Sequence, residues 1–210
     1  MSSLEVTVDG ISDGQPIAEE FAFGIRTKDT PFTFGPNISP AIRWSPGPNG
    51  TKSYAIIMHD RSVPTVFDDA NQEGKTIPAD LARMDFMHWI LVDIPASTTS
   101  LAKGAESDSV VPKGKETGTV AHGVRGANDF GMFMASNPDM AGDYGGYDGP
   151  APPWNDELLH EYVFTVFALD VETLGLNGVF SGADALAAME GHILASGEVM
   201  ATYTLNPDLM

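Results

Sequence analysis

Three stretches of alternating or continuously apolar sequence do most to limit the fold. They are SYAIIMHD (Ser53–Asp60), MHWILVDI (Met87–Ile94) and EYVFTVFAL (Glu161–Leu169). Each is rich in Val, Ile, Phe, Trp or Tyr and is bounded by turn-forming residues, which is the pattern of strands buried against a core. Weaker strand patterns lie at Leu4–Val8, Phe21–Phe23, Ala41–Trp44 and Val199–Thr204. Helical spacing emerges near the C-terminus, where Leu186, Met189 and Ile193 share a face. Ser181 with Asp184 gives that segment a capping-box start and Gly197 gives it a stop, so a helix is predicted over about 182–195. One further helical turn is predicted at Pro78–Arg83. The reading is a mainly β domain with peripheral helices. A chain of 210 residues, 42% of them hydrophobic, suits a single domain over 1–210. Arg61–Phe86 and Gly104–Asp148 read as long connections, and loops of that length commonly carry a site.

Charge and composition remove several classes of function. The formal charge is −18, from 29 acids against 11 bases. Such a surface repels phosphate backbones and anionic headgroups, so neither nucleic-acid binding nor membrane anchoring is expected. The acidity itself reads as a device for solubility. Cysteine is absent, which removes disulfides, thiolate metal sites and cysteine nucleophiles together. The N-terminal sequence has neither the basic nor the apolar region of a secretory signal, and no apolar run reaches the ~20 residues of a membrane-spanning helix. A cytoplasmic location is the expectation.

Each strong strand carries a polar residue at an end. Strict alternation puts Asp60 on a face with Tyr54, Ile56 and Met58, and His88 with Ile90, Val92 and Ile94. It puts His160 with Tyr162, Phe164 and Val166. If the first two strands pair antiparallel and the third neighbours them, Asp60, His88, His160 and Tyr162 meet at one sheet edge. Polar groups at the rim of an apolar core need partners. Two imidazoles there can donate to an anion, and Asp60 can hold one of them in a chosen tautomer. The Gly-Pro-rich GYDGPAPP segment is placed as a cover whose backbone N–H groups cradle the anion. The bland alternative is that each residue is a satisfied strand end.

These residues carry a resemblance to a known family. Asp60-Arg61-Ser62-Val63-Pro64, His88-Trp89, Gly149-Pro150-Ala151-Pro152-Pro153 and His160-Glu161-Tyr162 look like the motifs of the phosphatidylethanolamine-binding protein family. The bacterial YbhB/YbcL-like branch, also called Raf kinase inhibitor-like, is the nearest in pattern. The similarity runs from about Phe21 to the C-terminus. It implies a Greek-key β-sandwich with short peripheral helices. It also implies a small rigid pocket for phosphate, acetate or a phosphoethanolamine-like headgroup, lined by Asp60, His88, Gly149, Ala151, Pro152, His160 and Tyr162. A homodimer is implied as well; a protein-interaction role, with the pocket sensing a phosphorylated protein partner, competes with simple ligand binding. Two departures stand out: Ser62 replaces the pattern's second Asp, and Glu161 replaces an Arg but points away from the pocket by parity.

Other functions compete. Asp60, His88 and His160 match a two-His, one-carboxylate metal triad in residue type, which leaves a metal enzyme or hydrolase as the alternative. No H-E-x-x-H helix or G-x-S-x-G elbow supports it. The glycine-rich GFGI, GVRGAND and GDYGGYDG lack nucleotide-binding context, and no cofactor is expected. His59, His122 and His192 read as structural or exposed. Met84, Met87, Met132, Met134 and Met140 read as gap-filling residues, or else as a flexible apolar ligand surface.

Overall fold

The computed structural model describes residues 2–210. Its main sheet is built on β1 (Ser53–Pro64), β2 (Arg83–Pro95), the hairpin β3 (Gly118–Val120) and β4 (Gly123–Arg125), β5 (His160–Leu169) and β6 (Ile193–Tyr203). The spatial order is Ser2–Ser3, β6, β5, β1, β2, β4, β3. All pairings are antiparallel except that of Ser2–Ser3 with β6. β5 returns by a long connection to lie beside β1, a Greek-key order. Two short α-helices stand outside the sheets, α1 (Phe130–Phe133) and α2 (Gly182–Met189).

Apolar alternation on the central strands makes both faces of this sheet bury something. One face packs on a three-stranded sheet of Val6–Val8, Ile42–Trp44 and Ser100–Leu101. Ile42 and Trp44 of that sheet, together with Leu4, cluster with Tyr54, Ile56, Met58, Trp89 and Phe164 of the main sheet, which forms the sandwich core. The opposite face carries Ala55, Ile57, Ile90 and Val92, covered by Phe180 and by Ala185 and Met189 of α2. Among the described residues no helix is long and apolar enough to cross a membrane.

Several sequence expectations are corrected. α2 begins on the predicted capping box, with Ser181 accepting from the Asp184 N–H, but ends at Met189 rather than 195. Gly191, at φ 83°, turns the chain, and Ile193 enters β6 opposite Leu169. Ala185 and Met189 form the buried face, while Leu186 is 41% exposed. Gly197 lies inside β6, where an added Cβ would overlap the Leu4 carbonyl oxygen. Phe21–Phe23 is not a strand: a 3-10 turn spans Glu19–Phe21 and a short strand follows at Gly24–Ile25. Pro78–Arg83 is a turn closed by the Leu81 N–H on the Pro78 carbonyl, running directly into β2. Gly104–Asp148 holds the β3–β4 hairpin, the Ala127–Asn128/Tyr144–Gly145 pair and α1, rather than loop alone.

Candidate functional site

Asp60 on β1 pairs across to Tyr162 on β5 and to Phe86 on β2. His160 opens β5 two residues before Tyr162, so the three side chains share a face as alternation predicts. His88 reaches the same place by another route. Met58 pairs with Trp89, whereas His59 pairs with Met87, which leaves His88 as an extra residue in a β-bulge. A second irregularity opposes Tyr54 to Ile94 and Ile56 to Leu91, with Asp93 between them at φ 55°. The two interruptions overturn the expected grouping. Trp89, Leu91 and Ile94 face the sandwich core, and Ile90 and Val92 face α2. The bulge aims His88 into a pocket with Asp60, His160, Tyr162, Ala151 and Pro152. Gly149 is not in its wall.

The two imidazoles do different work. His160 Nδ1 lies 2.6 Å from Asp60 Oδ2 and Nε2 lies 3.1 Å from Asp156 Oδ2, all of them buried. Burial alone would lower its pKa, but the two carboxylates overcome that and raise it to about 9. Near neutral pH it is therefore an imidazolium donating both N–H groups. Asp156 is also gripped by Arg83, at 2.6 and 3.0 Å. Burial pushes the Asp156 carboxyl up, and His160 and Arg83 outweigh it, so its pKa is lowered. The other Asp60 oxygen accepts the Ser62 N–H at 2.8 Å. Asp60, Asp156, His160 and Arg83 thus balance as two acids and two bases.

His88 is different. Its Nδ1 donates to the Asp148 carbonyl at 2.7 Å, and no protein group bonds Nε2 among the described residues. Burial lowers its pKa to about 4 despite the nearby Asp60. The ring is therefore neutral at pH 7, with its proton on Nδ1 and a lone pair on Nε2. Beside it stands Tyr162, whose ring centroid lies 5.3 Å from that of His88. The Tyr162 hydroxyl is buried near the Asp60 carboxylate, and among the described residues it makes no well-aligned hydrogen bond. Burial and Asp60 raise its pKa well above the usual phenol range, so it stays protonated.

A buried polar network holds His88 in place. The Asp148 carboxylate accepts from Asn37 at 2.8 Å, Lys115 at 2.7 Å and Asn128 at 2.9 Å. Burial still raises its pKa against those partners. Its backbone brackets His88, accepting from Nδ1 and donating to the His88 carbonyl. Asn37 Oδ1 accepts the Gly149 N–H at 2.8 Å. The 149–153 loop therefore does not form the expected N–H cradle: Gly149 is already bonded, the prolines have no N–H, and Ala151 carries the remaining one. The loop supplies an apolar wall instead. Ser62 is not in the wall either, since its hydroxyl accepts the Glu161 N–H. Glu161 points away, as parity predicts, and pairs with Arg61.

Alternation on β1, β2 and β5 could not reveal Asp156, Arg83 or Asp148. Asp156 lies four residues before His160 in a loop, Arg83 lies in what reads as a connection, and Asp148 acts from behind the wall. The remaining three histidines are elsewhere: His59 lies 3.9 Å from Asp85, His122 and Arg125 bond the buried Glu106, and His192 bonds Asp170. The described residues contain no group of three or more His, Asp or Glu able to hold a metal. With both His160 nitrogens on carboxylates, the sequence-level metal triad does not assemble.

Comparison with known proteins places this arrangement. The family model described as phosphatidylethanolamine-binding protein matches residues 7–204. The chain belongs to this family. Phosphatidylethanolamine-binding protein relatives include a UPF0098 protein of Aquifex aeolicus, 32% identical over 97% of this chain and 98% of the relative. YbhB of Escherichia coli is 32% identical over 96% of this chain and all of its own length. The crystal structure of Escherichia coli YbcL, described as a member of the mammalian PEBP family, superposes with a TM-score of 0.69 at 27% identity, covering 97% and 99% of the two chains. The family's mainly β fold is the one described above.

Proposed function

We propose that the pocket binds a small acidic group that still carries one proton, a hydrogen-phosphate monoester above all, without chemistry. One observation carries this reading. Two groups without a well-aligned hydrogen bond among the described residues belong to neighbouring rings in the wall, the Tyr162 hydroxyl as donor and His88 Nε2 as acceptor. A P=O and a P–O–H on one phosphorus satisfy both. A fully ionised anion has no donor for His88 and finds no free cation, because His160 and Arg83 are already held by Asp60 and Asp156. Phosphate monoesters suit the site because their second pKa, about 6, keeps the P–O–H within reach near neutral pH. A protonated carboxyl has the same donor and acceptor, whereas the phosphodiester of a phosphoethanolamine-like headgroup has no P–O–H and can offer His88 a donor only through its ammonium.

Binding by this route takes up a proton. The charged or titratable groups facing His88 are Asp60, His160 and Tyr162, with the Asp148 carbonyl on its far nitrogen. Calorimetry with methyl phosphate should show Kd weakening about tenfold per pH unit above the ester's pKa of about 6. Tyr162→Phe should weaken binding about tenfold or more while changing thermal stability little, because the hydroxyl it removes makes no well-aligned hydrogen bond in the fold. Affinity independent of pH between 6 and 8, or no binding at millimolar ester, would overturn the reading.

A further inference from the structure

A second and larger cavity borders the polar one. It measures about 260 Å³, against about 30 Å³ for the polar pocket. Phe23, Phe32, Phe34 and Trp154 line it along with two polar side chains, Asn71 and Asn137, and it shares Phe130, Phe133 and Ala151 with the first. The polar pocket, at about 30 Å³, is two to three times the ~10–15 Å³ that one water demands. It admits an acidic head and nothing longer. Whatever extends from that head meets aromatic carbon.

The mouth is apolar too. The chain after β1 brings Val66 and Phe67, and α1 brings Met132 and Phe133, all exposed on a protein of net charge −18. The Phe67 and Phe133 rings meet edge to face with centroids 6.1 Å apart, so the two connections touch over the entrance. Asn155 fixes the first of them through the carbonyls of Asp69 and Lys75. Exposed aromatic carbon concentrated beside a pocket, and bordering a largely aromatic cleft, is the chemistry of a ligand tail.

We propose that the two cavities form one site for a single-tailed amphiphile, its phosphate monoester head at His88 and Tyr162 and its alkyl or aryl tail against Phe32, Phe34 and Trp154. This rests on the reading of the polar pocket given above. The combined space lies near the ~300 Å³ lower bound of small-molecule sites, which suits one short tail and leaves no room for a pair of acyl chains. Phe133, bordering both cavities and 43% exposed, is the side chain the tail passes.

The test is calorimetry of the full chain at pH 6 with n-alkyl phosphates from methyl to octyl, each below its micellar concentration. Kd should tighten about fourfold per methylene over the first several carbons and then level off where the cleft is full. Phe34→Ala, which alters only the cleft at a ring already half exposed, should flatten that dependence and leave methyl phosphate binding unchanged. Methyl phosphate binding with no dependence on chain length overturns this inference and leaves the head-binding reading intact. Failure of every ester to bind overturns both.

Discussion

Replacing His160 by Ala is expected to lower the unfolding free energy by about 3–5 kcal/mol, the scale of removing one partner from a buried ion pair. The variant leaves Asp60 with only the Ser62 N–H, and leaves Asp156 to Arg83 alone. The pH profile separates this cause from lost packing. His160 has a folded pKa of about 9 against 6.5 unfolded, so its contribution is full below pH 6.5 and is lost as pH rises to about 9. His88 has a folded pKa of about 4 against 6.5, so its contribution is full above pH 6.5 and is lost as pH falls toward 4. Wild-type stability measured by urea unfolding should therefore peak near pH 6.5. In His160→Ala the alkaline limb should flatten while the acid limb stays. An equal loss of stability at pH 6.5 and pH 9.5 would mean that His160 is only a packed ring.

Gly149→Ala is expected to cost about 3 kcal/mol, at the upper end of overpacking, because the contact is with backbone rather than a movable side chain. An added Cβ would overlap the Phe21 carbonyl oxygen, which also accepts the Tyr147 hydroxyl at 2.7 Å. Relief requires the loop to move, which breaks the Gly149 N–H bond to Asn37 and draws Ala151 and Pro152 off the pocket. Methyl phosphate affinity should fall at least tenfold with it. Thermal denaturation and calorimetry on the same sample check both. A variant with wild-type stability would show that the loop tolerates the shift and that Gly149 has no positioning role.

How much of this was legible in the sequence depends on what each residue's environment requires. Buried strands announce themselves through apolar content, so β1, β2, β5 and the mainly β architecture follow from composition and spacing. Asp60, His160 and Tyr162 fall together because β1 and β5 pair without interruption from Tyr162 opposite Asp60 to Leu169 opposite Ser53. The position of His88 near the start of MHWILVDI, with antiparallel pairing, puts it at the right edge, and parity alone assigns it to the wrong face. A β-bulge is a difference of register between two strands, and nothing in MHWILVDI marks which residue is extra. The end of α2 was overrun for a related reason: Ile193 satisfies the helical spacing but is claimed by the β5–β6 ladder. Asp156 and Asp148, which set the charge on His160 and the tautomer of His88, lie in loops where no periodicity exists to read. The motif pattern identifies which residues gather. Their protonation, and hence whether the pocket wants an ionised or a protonated guest, is set by loop partners that no pattern announces.

The central claim is that His88 is a neutral acceptor and His160 a fixed cation, so that only His88 answers a ligand. Imidazole ¹⁵N chemical shifts at pH 7, recorded with and without methyl phosphate, test it most directly. The account predicts Nδ1–H and a bare Nε2 on His88, with both nitrogens of His160 protonated. Added ester should move His88 Nε2 and leave His160 in place. A charged His88 in the free protein, or a response confined to His160, would contradict it.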